Sequence, residues 1–185
     1  MKTQKALLLI DIQNDYFEGG LNPLSGSMEA GLNAQKLLQH FRLQTLPVVH
    51  VQHISTQQDA TFFLPDTKGS EIHNCVAPLE RESIIIKHAP NSFYQTELHE
   101  MLQSLGITEL IICGMMTHMC VDATVRAAKD LGYKCIVIHD ACATKDLECQ
   151  GVNVEAEKVQ TAFLAALTPF YSVLASAEEY SKENF

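Results

Sequence analysis

No apolar run in the chain approaches the ~20 residues that a helix needs to cross a bilayer. Met1 to Gln4 lead directly into an apolar strand pattern, with no signal-peptide core before it. These absences predict a cytoplasmic protein without a membrane partner. Basic residues are also scarce: 13 Lys and Arg stand against 22 Asp and Glu, for a formal net charge of −9. That balance excludes electrostatic binding to nucleic acid or to an anionic membrane surface, and it leaves small molecules as the expected partners. The cysteines at 75, 113, 120, 135, 142 and 149 include no C-x-x-C pair. Neither a zinc ribbon nor a disulfide scaffold is suggested, and most of the thiols are expected to be reduced and buried. Internal repeats and low-complexity tracts are absent as well.

What remains is an ordinary globular composition, with 46% hydrophobic and 19% charged residues in 185 positions. It suits a single domain over residues 1–185 with a well-buried core. Short apolar runs at 6–10, 48–51, 83–87, 110–114, 135–139 and 170–174 read as strands. Helical patterns lie between them: one over Ala30, Ala34, Leu37, Leu38 and Phe41, another from Leu98 to Leu105 closed by Gly106, a third from about His118 to Leu131 stopped by Gly132. Strands apolar on both faces that alternate with helices predict a mostly parallel six-stranded sheet in a three-layer α/β/α sandwich. The aperiodic stretch 55–78 is long for a connection and is expected to be a functional loop or lid.

Ligands of open parallel sheets bind beyond the carboxyl ends of the strands. Three polar residues stand there: Asp11 after ALLLI, Lys87 at the end of SIIIK, and Cys120 shortly past LIICG. Taken singly each has a bland reading, as a helix cap, a solvated charge and a core thiol. Together a carboxylate, an ammonium and a thiol are the parts that covalent acyl transfer requires. In GMMTHMC, Gly114 releases the chain sharply from the strand, and Cys120 is expected at a helix start. Unpaired amides and the helix dipole there are expected to lower the thiol pKa and to bind an oxyanion.

The segments LLLIDIQNDYFEGG (7–20), HVQHIS (50–55), IIIKHAPNSFYQTEL (84–98), LIICGMMTHMCVDATVRAAKDLGY (110–133) and VIHDACAT (137–144) together resemble the isochorismatase-like cysteine hydrolase family. The most specific element is GxxTxxCV, residues 114–121. The resemblance implies the family's Rossmann-like fold, with Asp11 as general base, Lys87 stabilising charge and Cys120 as the nucleophile. It further implies a cis peptide at Met115–Met116 and an oxyanion hole formed by the N–H groups of Met116 and Cys120. Tyr16, His53, Asn91, Phe93 and Met115 are the expected substrate-binding residues, while Gln13 and Asn14 orient the loop or the base. The family commonly forms homo-oligomers. The apolar segment 163–174 would suit such an interface, and Phe62 or Phe63 could be contributed across it.

The nicotinamidase branch of the same superfamily binds a divalent metal through an Asp-x-His pair and a further His. Here VVHVQHIST offers no matching Asp, and His50 and His53 lie three apart, on opposite faces of a strand. His73 would complete such a site only fortuitously. No metal and no cofactor is therefore expected, and nicotinamidase-type hydrolysis is the runner-up. Isochorismatases proper protonate a vinyl ether and need an acid, whereas the trio here suits attack on the carbonyl of a small amide, ureide or lactam. Two readings from other classes remain: a small-molecule binding module, and a redox-sensing thiol at Cys120 with Cys113 or Cys142 as its resolving partner.

Overall fold

A computed structural model describes residues 4–182. In chain order the elements are β1 (Lys5–Ile10), α1 (Ser27–Leu43), β2 (Val48–His53), β3 (Ser83–Lys87), α2 (Leu98–Ser104), β4 (Glu109–Met115), α3 (Asp122–Asp130), β5 (Lys134–Ala143), β6 (Leu147–Cys149), β7 (Val152–Val154), α4 (Ala156–Leu167), β8 (Val173–Ala175) and α5 (Ala177–Lys182). The main sheet has six strands in the order β3-β2-β1-β4-β5-β8, all parallel. β1 is central and its side chains are buried on both faces, which explains its unbroken apolar run. The chain steps outward from β1 to β3 and then returns to the other side of β1. Right-handed crossovers in opposite directions place helices on opposite faces. α1 packs with α5, and α3 with α4, giving three layers.

The order reverses between β1 and β4, and that crevice lies between Asp11 and Cys120. Gly114 sits at its base with φ 134°, and a Cβ there would fall 2.0 Å from the Ile10 carbonyl oxygen. Only glycine lets β4 approach β1 so closely while the register against β5 shifts between Ile112 and Gly114. Gly114→Ala is expected to destabilise the fold by about 3 kcal/mol or more. A denaturant melt that matched wild type would refute this.

Two sequence boundaries are corrected and one hairpin is added. β8 begins at Val173, and Phe170 stands in the preceding turn with its ring 65% exposed. α3 begins only at Asp122, because residues Thr117–Val121 form one turn of π-helix first. β6 and β7 form a hairpin that no periodicity announced, being three residues each around Gln150 and Gly151, both at positive φ.

Far from the crevice, Glu82 ties α1 to β2. It receives Arg42 Nε and an Arg42 terminal nitrogen at 2.7 Å each, the Leu79 N–H at 2.9 Å and His50 Nε2 at 3.0 Å. Burial alone would raise its carboxyl pKa, but Arg42, the Leu79 amide and His50 outweigh it and bring the value down to about 2. His50, buried at the other end of this contact, is pushed down by desolvation. A depressed carboxyl pKa gives stability that is complete above the ordinary value of 4.5 and is lost as pH falls toward about 2. The melting temperature of Glu82→Gln is accordingly expected to fall less steeply than wild type across that window. Parallel curves would refute it.

Candidate active site

Each side chain of the candidate site is delivered by a strand end. Asp11 follows β1 with φ 49°, in the left-handed region that a non-glycine residue seldom occupies. Its N–H is held by the Val51 carbonyl and its own carbonyl accepts from Gln13 N–H. Such strain persists only where its surroundings fix it, as they do at functional sites. His53 and Lys87 are paired in register as the last residues of β2 and β3. Cys120 follows β4 inside the π-turn, and the peptide bond between Met115 and Met116 is cis.

Lys87 Nζ is the hub. It lies 2.7 Å from Asp11 Oδ2, 3.0 Å from His53 Nδ1, 3.0 Å from the Ala89 carbonyl oxygen and 3.3 Å from Cys120 Sγ. Asp11 and Lys87 are 0% and 1% exposed, and Cys120 is 5% exposed. Desolvation would lower the Lys87 pKa, but the neighbouring Asp11 outweighs it and raises the value overall, so the ammonium persists. Burial pushes the His53 ring down to about 4, and the Lys87 charge adds to this, so His53 is neutral at ordinary pH. The Cys120 thiol is moved upward by burial first and by the Asp11 charge second, against the pull of Lys87.

This last point corrects the expectation of a thiol acidified by a helix start. Cys120 lies not at the mouth of α3 but inside the π-turn, where loss of water and a neighbouring carboxylate favour the protonated form. The resting arrangement is a carboxylate, an ammonium and a neutral thiol, with the base already beside the proton it would take.

A cavity of about 300 Å³ opens over the thiol, and Tyr16, His53, Phe62, Met116, Met119 and Cys120 line it together with residues 55–57 and 59–61, His88 and Pro90. Tyr16 is 1% exposed, its ring 4.6 Å from that of Phe63 and 5.9 Å from that of Phe62. Both phenylalanines pack against Tyr16 of their own chain, and Phe62 reaches the cavity. Asn91, Phe93 and Met115 are corrected. None is among the residues lining this cavity. Asn91 Oδ1 instead accepts the Phe93 N–H at 2.9 Å, closing a turn, and the Phe93 ring stacks on Tyr133 at 6.0 Å. Ser92 is pinned to Thr124 of α3, which draws this segment away from the crevice. Met115 ends β4 fully buried.

Sequence reasoning assigned Gln13 and Asn14 to orient the loop or the base but missed Asp15, which anchors the same long loop. Asp15 is 2% exposed; its Oδ2 accepts the Phe63 N–H at 2.7 Å and its Oδ1 the Leu21 N–H at 3.1 Å. Gly69 is needed because a Cβ there would meet the Asp15 carboxylate at 2.2 Å. Gln13 acts alongside: its amide nitrogen donates to the His53 and Ser70 carbonyls at 2.8 and 2.7 Å, and its oxygen accepts the His53 N–H at 2.8 Å. Asn14 Nδ2 donates to the Lys68 carbonyl. The only sequence signal was the density of short polar residues directly after an apolar strand.

Asp11, His53 and Cys120 each bring a ligand-capable atom within 4.8 Å of the others, a grouping that could hold a metal ion. All three face the Lys87 ammonium at the distances above, so an ion and the ammonium would compete for one place. These residues fit an internal cation better than a metal beside it. His50 and His73 are engaged elsewhere, with Glu82 and with Cys75 Sγ at 3.1 Å. Among the cysteines all six are free; Cys113 and Cys142 are buried in the core, where desolvation holds both thiols protonated. Among the described residues no helix is long and apolar enough to cross a membrane.

Comparison with known proteins gives the family and the fold. The isochorismatase family protein YddQ of Bacillus subtilis (strain 168) is 52% identical over 177 residues, covering 96% of this chain and 98% of that protein. A streptothricin hydrolase of Streptomyces noursei is 34% identical over 143 residues, 77% of this chain and 51% of its own length. The crystal structure of an Oleispira antarctica protein assigned to the isochorismatase hydrolases superposes with a TM-score of 0.95 at 50% identity, covering 99% and 98% of the two chains. The Isochorismatase domain model matches residues 5–178, and the chain belongs to the isochorismatase family.

Proposed function

We propose that the protein is a cysteine hydrolase that cleaves a small amide-, ureide- or lactam-type C–N bond through an acyl-enzyme on Cys120. The observation that carries this reading is the Lys87 ammonium, buried within 2.7 Å of Asp11 and 3.3 Å of Cys120 at the floor of the cavity. On attack, the Cys120 S–H proton passes to Asp11 as sulfur bonds to the substrate carbonyl carbon. Lys87 balances the charge as it moves from carboxylate to sulfur, and the N–H groups of Met116 and Cys120 receive the oxyanion. The C–N bond then breaks, the leaving nitrogen taking the proton back from Asp11. Water attacks the thioester and gives a proton to Asp11, the acid departs, and the proton returns to sulfur. The streptothricin hydrolase similarity supports hydrolysis as the reaction class.

The cavity's volume sits at the lower end of small-molecule sites, which supports a compact substrate. The test is release of ammonia or amine from a panel of small amides, ureides and lactams, with intact mass measured during turnover. Amine release with a mass increase on Cys120 is expected. Release with no mass adduct on the protein, and with no hydroxamate product when hydroxylamine is supplied to intercept the thioester, would overturn the acyl-enzyme.

A further inference from the structure

His53 is more tightly fixed than a wall residue needs to be. Its N–H and carbonyl are both held by the Gln13 amide, its ring lies 5.8 Å from that of Phe63, and its Nδ1 is 3.0 Å from Lys87 Nζ. An ammonium can only donate, so Nδ1 must accept, and the ring proton must reside on Nε2. Lys87 has three N–H bonds and four acceptors around it: Asp11, His53, Ala89 and Cys120. Three protons cannot serve all four at once: hydrogen bonds run to His53, the Ala89 carbonyl and the thiol, Asp11 is held as an ion pair at 2.7 Å, and the thiol is the weakest acceptor in that competition. We propose that His53 is a positioning residue. Its Nδ1 holds Lys87 between carboxylate and thiol and competes with sulfur for the ammonium protons, while its Nε2–H is left to donate into the cavity that the ring lines.

This inference rests on the cysteine hydrolase reading, but part of its test needs no substrate. The charged and titratable groups facing His53 are Lys87, Asp11, His88 and Cys120, and those facing Cys120 are Asp11, Lys87, Tyr16 and His53 itself. The His53 ring nitrogens of the wild-type protein are read by nitrogen-15 NMR from pH 5 to 8. A neutral Nε2–H ring throughout is expected; an Nδ1–H ring or an imidazolium in that range would overturn the assignment. In parallel, the pH dependence of Cys120 alkylation by iodoacetamide is measured in His53→Leu and His53→Asn. Leucine removes the acceptor and frees an ammonium proton for sulfur, so the midpoint is expected to move to lower pH. The asparagine oxygen lies near the Nδ1 position, so that variant should keep the wild-type midpoint. Equal shifts in both variants, or no shift in leucine, would refute the role. An enzyme silent on every amide that still showed the Nε2–H ring and the leucine shift would fail the hydrolase reading alone.

Discussion

Cys120→Ala should lower turnover by about 10³-fold or more, because Cys120 is the cavity nucleophile that Lys87 contacts and the acyl intermediate is formed on it. The same substitution should leave stability within about 1 kcal/mol of wild type. The reason lies in the proton count at Lys87: removing sulfur still leaves Asp11, His53 and the Ala89 carbonyl, one acceptor for each N–H. The volume lost is small, and the turn Thr117–Val121 does not depend on the thiol, since its bonds run between backbone groups such as Val121 N–H and the Met116 carbonyl. Steady-state amine release and a thermal melt on the same preparation test both halves. Substantial residual activity would remove the nucleophile from the mechanism, and a large loss of stability would mean that the thiol is chiefly a packing element.

Lys87→Met presents the opposite profile. Methionine retains much of the apolar stem but leaves the Asp11 carboxylate in a dry interior without its counter-charge, and Asp11 Oδ1 has no hydrogen bond to fall back on. Breaking a buried pair from one side costs about 3–5 kcal/mol, a fall in Tm of roughly 6–20 °C for a domain of this size. Activity should vanish with it. Pairing the change with Asp11→Asn removes both charges, and the double variant should regain most of the lost stability while remaining inactive. A double variant no more stable than Lys87→Met would show that the loss came from packing, not from an orphaned charge.

The central sheet was legible because β1 and β4 are buried on both faces and therefore read as unbroken Leu and Ile runs, and Asp11, Lys87 and Cys120 were legible because each stands just past such a run. Cys120's environment was not. Spacing placed it after a glycine, but the π-turn and the burial of the thiol arise from tertiary packing, with Asp11 and Lys87 brought in from strands distant in sequence. Asn91 and Phe93 misled for a similar reason: nearness to Lys87 along the chain says nothing of the Ser92 to Thr124 contact that pulls the segment toward α3. The β6–β7 hairpin is too short for any periodicity to register.

The segment after β1 holds two offices at once. Asp11 carries the chemistry, and within four residues Gln13, Asn14 and Asp15 moor the long loop at Phe63, Lys68 and Ser70, with further ties from Glu71 to Asn14 and from Ile72 to Gln13. Residues 56–62 have no such moorings to that segment, yet most of them form the cavity wall. Variation in this chain therefore divides by position. Between 56 and 62 the wall can be rebuilt for a new ligand with the base undisturbed, whereas a change at Phe63, Gly69 or Ser70 pulls on the strand end that aims the carboxylate.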